Sequence, residues 1–119
     1  MIQSERVYIL ENQTFVVSKN VDGFPVQRIS FLSSQSNEEI NGVLQGEGIR
    51  SGEFTGRFIA TNLVELFFRW FDKSLSQCVT GKIVGILCGG TSGEVQFFLN
   101  WYCLHGRQGY GAASYTQLQ

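Results

Sequence analysis

The second half of the chain alternates between two kinds of side chain with a period of two, over four successive segments. Gly52–Ala60 sets Phe54, Gly56, Phe58 and Ala60 against Glu53, Thr55 and Arg57. Asn62–Phe71 sets Val64, Leu66, Phe68 and Trp70 against Leu63, Glu65, Phe67, Arg69 and Phe71. Gln77–Leu87 groups Val79, Gly81, Ile83, Gly85 and Leu87, and Glu94–Leu104 groups Val95, Phe97, Leu99, Trp101 and Cys103. Side chains on an extended strand point alternately to opposite faces, so this period is that of a strand with one face on a core. No stretch of about 12 residues carries a helical apolar stripe without also reading as a strand.

The first half carries shorter runs of the same kind. Strands are expected at Arg6–Leu10, Thr14–Ser18, Val26–Ser33 and Ile40–Gln45, and a last one at Tyr110–Leu118. Turn chemistry separates them: Val21-Asp22-Gly23, the polar Ser34–Glu39, Gly46-Glu47-Gly48, Asp72-Lys73-Ser74, Cys88–Gly93 and His105–Gly109. Pro25, the one proline, fits at the start of the Val26–Ser33 strand. Eight or nine strands joined by such short turns make antiparallel neighbours. A meander of that length must hide its edges, and closing on itself does so. The expectation is therefore an all-β, small antiparallel up-and-down barrel of about eight strands, spanning residues 1–119 as one domain. A two-layer β-sandwich is the alternative. Gly56, Gly81 and Gly85 fall on the inward parity, where they would relieve crowding and let the sheet coil.

Composition excludes several functions. Nine Lys and Arg face ten Asp and Glu, a net charge of −1, which argues against a nucleic-acid partner. Apolar runs of about five residues are far short of a membrane-spanning helix. Glu5 and Arg6 stand where a signal peptide would be apolar, so a cytoplasmic location is expected. The three cysteines, Cys78, Cys88 and Cys103, then read as reduced thiols. Cys103 and His105 share strand parity, but two ligands do not make a metal site, and neither metal nor cofactor is expected.

The aromatic residues carry the functional expectation. On the inner parity Phe58, Phe68, Trp70, Phe97 and Trp101, with Tyr110, would line an apolar pocket at one mouth and bind an apolar or aromatic small molecule. Alternatively the pocket serves a cofactor-free cyclase or isomerase, with Tyr102, Tyr110, Asn100, His105 and Arg57 as its polar groups. In a third reading the barrel is solid, and its function lies on the outer parity. There Leu63, Phe67, Arg69, Phe71, Phe98 and Tyr102 are the expected interface residues of a homodimer, because apolar groups left facing water mark a contact surface.

Short motifs add a resemblance. Asn12, Thr14 and Phe15 with Ser18 and Asn20, then Phe68-Arg69-Trp70, then Trp101 with Gly106 and Gly111, resemble the short bacterial proteins carried under the label "N-acetylglutamate synthase". Members have a second tryptophan where this chain has Cys103. The resemblance implies a calycin-like barrel. Acetyl transfer is not expected of this chain, which offers neither a phosphate-binding loop opening a helix nor a mixed α/β sheet.

Overall fold

The computed structural model describes residues 10–20, 23–32, 39–89 and 94–118. Among them there is no helix. The strands are β1 (Thr14–Asn20), β2 (Arg28–Phe31), β3 (Ile40–Gln45), β4 (Ile49–Ala60), β5 (Leu63–Asp72), β6 (Gln77–Gly89), β7 (Val95–His105) and β8 (Tyr110–Gln117). Each pairs antiparallel with the next, and β8 pairs with β1, so the sheet closes into a barrel in simple chain order. Every strand has two partners, which disposes of the sandwich alternative. Of the expected elements, 6–9, 21–22, 33–38 and 90–93 lie outside the described residues.

Two expectations about β2 need correction. It begins at Arg28 rather than Val26, and Pro25 precedes it rather than opening it. The Phe24-Pro25-Val26 segment is drawn out of the sheet and into the barrel mouth, where Phe24 and Val26 are both buried.

The inward side chains follow the alternation. Phe54, Val64, Leu66, Phe68, Trp70, Ile83, Phe97, Leu99 and Trp101 are all buried, whereas Phe58, near a barrel end, is only partly so. The interior of an eight-stranded barrel is barely wider than its own side chains. Large rings fit here because glycines lie beside them. A Cβ on Gly42 would overlap the Phe54 ring, one on Gly81 the Phe68 ring, and one on Gly85 the Phe97 ring. Phe54 sits directly opposite Gly42, and Phe68 opposite Gly81, on the neighbouring strand. Each ring thus fills the space that its cross-strand glycine leaves, which also covers that glycine's backbone.

Four irregularities break the period. The register slips between Val17 and Lys19 in β1, between Arg50 and Glu53 and between Phe58 and Ala60 in β4, and at Leu104 in β7. At the second of these Ser51 takes a left-handed φ of 57°, the geometry of a bulge. Each slip exchanges the two faces beyond it.

The ring-on-glycine fit makes a coupled pair testable. Phe97→Ala is expected to destabilise the fold by about 3–5 kcal/mol, and Gly85→Ala, whose new methyl would meet the Phe97 ring first, by about 1–3 kcal/mol through overpacking. In the double variant the new methyl enters space the ring has left, so the two costs should sum to more than the measured loss. Denaturant unfolding of the four proteins reads this directly.

Candidate functional site

The mouth that the sequence reserves for a ligand is filled by the chain itself. Trp70 and Phe68 stack at 4.9 Å and 12°. Phe24, from the segment between β1 and β2, stacks on Trp101 at 4.8 Å and 15°, and meets Phe68 and Trp70 edge-on at 5.8 and 6.1 Å. Gly23, with φ of 74°, supplies the left-handed turn that starts this entry. Asn20 holds Phe24 by its backbone: the side-chain amide donates to the Phe24 carbonyl, and Oδ1 accepts the Phe24 N–H at 3.0 Å. Deeper in, the Tyr115 hydroxyl donates to the Val26 carbonyl at 2.6 Å. Burial pushes the Tyr115 hydroxyl well above its ordinary pKa, so it stays protonated and keeps that bond. The buried Trp101 indole N–H has no hydrogen-bond partner among the described residues, so ring contacts alone hold that side chain.

Beside this mouth lies the one buried charge among the described residues. Asp72 closes β5, and its Oδ1 accepts the Ser74 hydroxyl at 2.6 Å, the Ser74 N–H at 3.0 Å and the Leu75 N–H at 3.2 Å. Its Oδ2 takes the Arg107 guanidinium at 3.2 Å and the Trp70 indole N–H at 3.5 Å. The Ser74 hydroxyl foremost, with the Leu75 N–H and the indole behind it, holds this carboxyl below the usual range against the opposing cost of burial. With all its lone pairs engaged, Asp72 ties the β5–β6 turn to the β7–β8 connection. It is a structural clasp rather than a general base.

Phe68, Trp70, Phe97 and Trp101 do share the interior, as expected of ligand-binding residues, but they enclose side chains. Tyr110 does not join them. It lies opposite Tyr102 on the outer wall, 78% exposed. The polar groups considered for catalysis, Tyr102, Tyr110, Asn100, His105 and Arg57, are likewise all exposed and scattered over that wall. The slip at Leu104 separates Cys103 from His105: Cys103 packs against the core, and burial pushes its thiol up, while His105 faces outward opposite Thr80. Sequence reasoning missed Phe24 because a single ring in a Gly-Phe-Pro turn has no periodic neighbours to mark its direction.

The expected interface residues all lie on the outer wall, in two groups. One row crosses the strands as Leu63, Ile86, Phe98, Ser114 and Lys19, from β5 round to β1. It borders a groove of about 590 Å³, which Val84, Asn100 and Ala112 also line. A parallel row runs Thr55, Phe67, Lys82, Tyr102 and Tyr110. It borders a second groove of about 440 Å³, lined among others by Phe67, Arg69 and Leu104. The charges near these rows are paired within the wall. Lys82 meets Glu65 at 2.8 Å, and Arg57 approaches Glu65 at 3.8 Å. Further along, Arg69 meets Glu53 at 2.5 Å, and Arg50 covers Phe71 at 4.6 Å. The lysine beside Glu65 holds its carboxyl below the usual range.

Two outcomes follow at the mouth. Phe24→Ala should cost about 3–5 kcal/mol and shift tryptophan emission to the red as the indoles lose their cover; an unchanged spectrum would contradict the placement of Phe24. Asp72 has a depressed folded pKa, so its contribution is complete above the unfolded value near pH 4 and is lost as pH falls through the folded value. Asp72→Asn should therefore be less stable than the parent at pH 7, and its stability should fall less steeply on acidification below about pH 4.

With this geometry in view, comparison with known proteins returns nothing: no family model, no curated protein and no solved structure matches the chain.

Proposed function

We propose that this barrel is an interaction module that works through its outer wall, and that its first partner is a second copy of itself. The observation that carries the reading is the filled interior: Phe24 takes the place beside Trp70 and Trp101 where a small molecule would sit. What remains available is the wall of β5–β8. Phe67 is 49% exposed, Leu104 66% and Tyr110 78%, with Tyr102 between them. An apolar surface of this kind is stable only when covered.

The neighbouring charges favour a like partner. Glu53 with Arg69, and Glu65 with Lys82, are already neutralised within one copy. A twofold contact there brings no unpaired charge into the interface. Leu104, the extra residue of the β7 slip, lies beside the second groove. In a self-complementary contact each copy's Leu104 meets the other's groove. The reading places the protein in the cytoplasm, where Cys78, Cys88 and Cys103 stay reduced. No described helix is long and apolar enough to cross a membrane. The apolar interior is the inverse of a membrane barrel's polar lumen, and the outer wall carries Glu53, Arg57, Glu65, Arg69 and Lys82 among its apolar groups.

Sedimentation at tens of micromolar should give a dimer, and Phe67→Asp a monomer with an unchanged far-ultraviolet spectrum. A monomeric parent protein would defeat this proposal.

A further inference from the structure

The first groove has a feature that the second lacks: a cation with no anion beside it among the described residues. Along β1, Phe15 and Val17 face inward, and strict alternation would send Lys19 inward too. The register slip at Ser18 prevents this. Val17 pairs with Tyr115, but Lys19 pairs with Ser114, and Ser18 is the extra residue between them. Its hydroxyl is fixed by the Ser114 carbonyl at 3.0 Å and the Ser114 hydroxyl at 3.2 Å. The slip turns Lys19 to the outer wall, where it stands at the rim of the groove. Bulges commonly re-aim a side chain in this way. Lys82, Arg57 and Arg69 on the same wall all have carboxylate partners, whereas Lys19 has none among the described residues.

From Lys19 the apolar row leads away in one direction. Ser114 and Ala112 are small and form the floor on β8, followed by Phe98 on β7, Ile86 and Val84 on β6, and Leu63 on β5. Four inter-strand steps of about 4.8 Å make this path roughly 19 Å long. Its volume of about 590 Å³ falls in the range of small-molecule sites. A long apolar track with one ammonium at one end fits a long apolar body with one negative charge at one end. A single ammonium balances a single charge, so a monocarboxylate suits it better than a doubly charged phosphate, whose second charge would lack a partner.

We propose that the groove between β5 and β1 binds a free long-chain monocarboxylate, with its head group on Lys19 and its tail along Ser114, Phe98, Ile86 and Leu63. This site is separate from the proposed dimer contact at Phe67 and Leu104, and it stands whether or not that contact forms.

The probes are dodecanoate and dodecyltrimethylammonium, each below its micelle concentration, titrated into the isotopically labelled full chain and followed by amide shifts. Saturable shifts at Val84, Ile86, Phe98 and Ala112 with dodecanoate, and weaker binding of the cation, are expected. Lys19→Glu should invert the preference, changing the ratio of the two affinities by roughly tenfold or more. Phe98→Asp should abolish binding of both. Equal affinity for the two heads, a preference unchanged in Lys19→Glu, or shifts centred on Phe24, Trp70 and Trp101 would each overturn the assignment. So would groove resonances that move on dilution without ligand, since a second copy would then be the occupant. The monomeric Phe67→Asp variant should bind dodecanoate as the parent does, which separates failure of this site from failure of the dimer reading.

Discussion

A barrel of eight strands has a fixed, narrow interior, and the structure depends on how that volume is divided. Three phenyl rings, Phe54, Phe68 and Phe97, each lie where a glycine has surrendered its Cβ, at Gly42, Gly81 and Gly85. Ring and glycine are thus one packing unit. The ring alone would not fit, and the glycine alone would leave a void and a flexible strand. The rings continue past these pairs: Phe15, Phe31, Phe54 and Phe97 contact one another near one end, and Phe68, Trp70, Phe24 and Trp101 near the other. Phe24 is the one ring in this series that no strand supplies. Its arrival from a turn fills the space left between the two tryptophans, and with it the place for a guest.

Much of this was legible from period alone. The four long strands β4–β7, the inward set on them and the closed meander all follow from alternation, because a buried face tolerates no polar slip. Legibility failed where alternation was interrupted. A residue added at Ser18, Ser51, Ile59 or Leu104 has no signature that a parity count detects, yet each exchanges the two faces beyond it. Cys103 and His105 look like neighbours on one face and stand on opposite ones for this reason. Tyr110 opens β8 directly after a turn, where period alone assigns no face, and its opposite number is the outward Tyr102. Phe24, Val26 and Tyr115 form a contact between a turn and the last strand, separated by 89 residues where Tyr115 bonds Val26, and local pattern carries no information about such a pairing.

The outer wall shows the same economy in electrostatic form. Glu65 is shared by Lys82 on one neighbouring strand and Arg57 on the other, and Arg69 is matched by Glu53 directly across the β4–β5 pair. These exposed pairs add little stability. Their consequence is near-neutrality: three cations, Arg57, Arg69 and Lys82, face two carboxylates, Glu53 and Glu65, so little net charge surrounds Phe67. Arg57 and Glu65 stand between the two apolar rows on β4 and β5, and Val84, Asn100 and Ala112 continue that line on β6–β8, so an interface that looks continuous in the sequence forms two rows in space.

The bulges connect the interior to that wall. A strand that carries Phe15 and Val17 inward has no room for a lysine two residues later, since a buried ammonium without a partner is far costlier than one unpaired turn of the ladder. The extra Ser18 resolves this conflict by facing Lys19 outward, and in doing so sets a charge at the edge of a track that the small β8 side chains have left low. The same device in β7 keeps Cys103 against the core and turns His105 to the surface, opposite Thr80. In both strands the packing of the interior decides which side chains the outside receives. The recognition properties of the wall are therefore set by how the core fits together, and not by the wall residues alone.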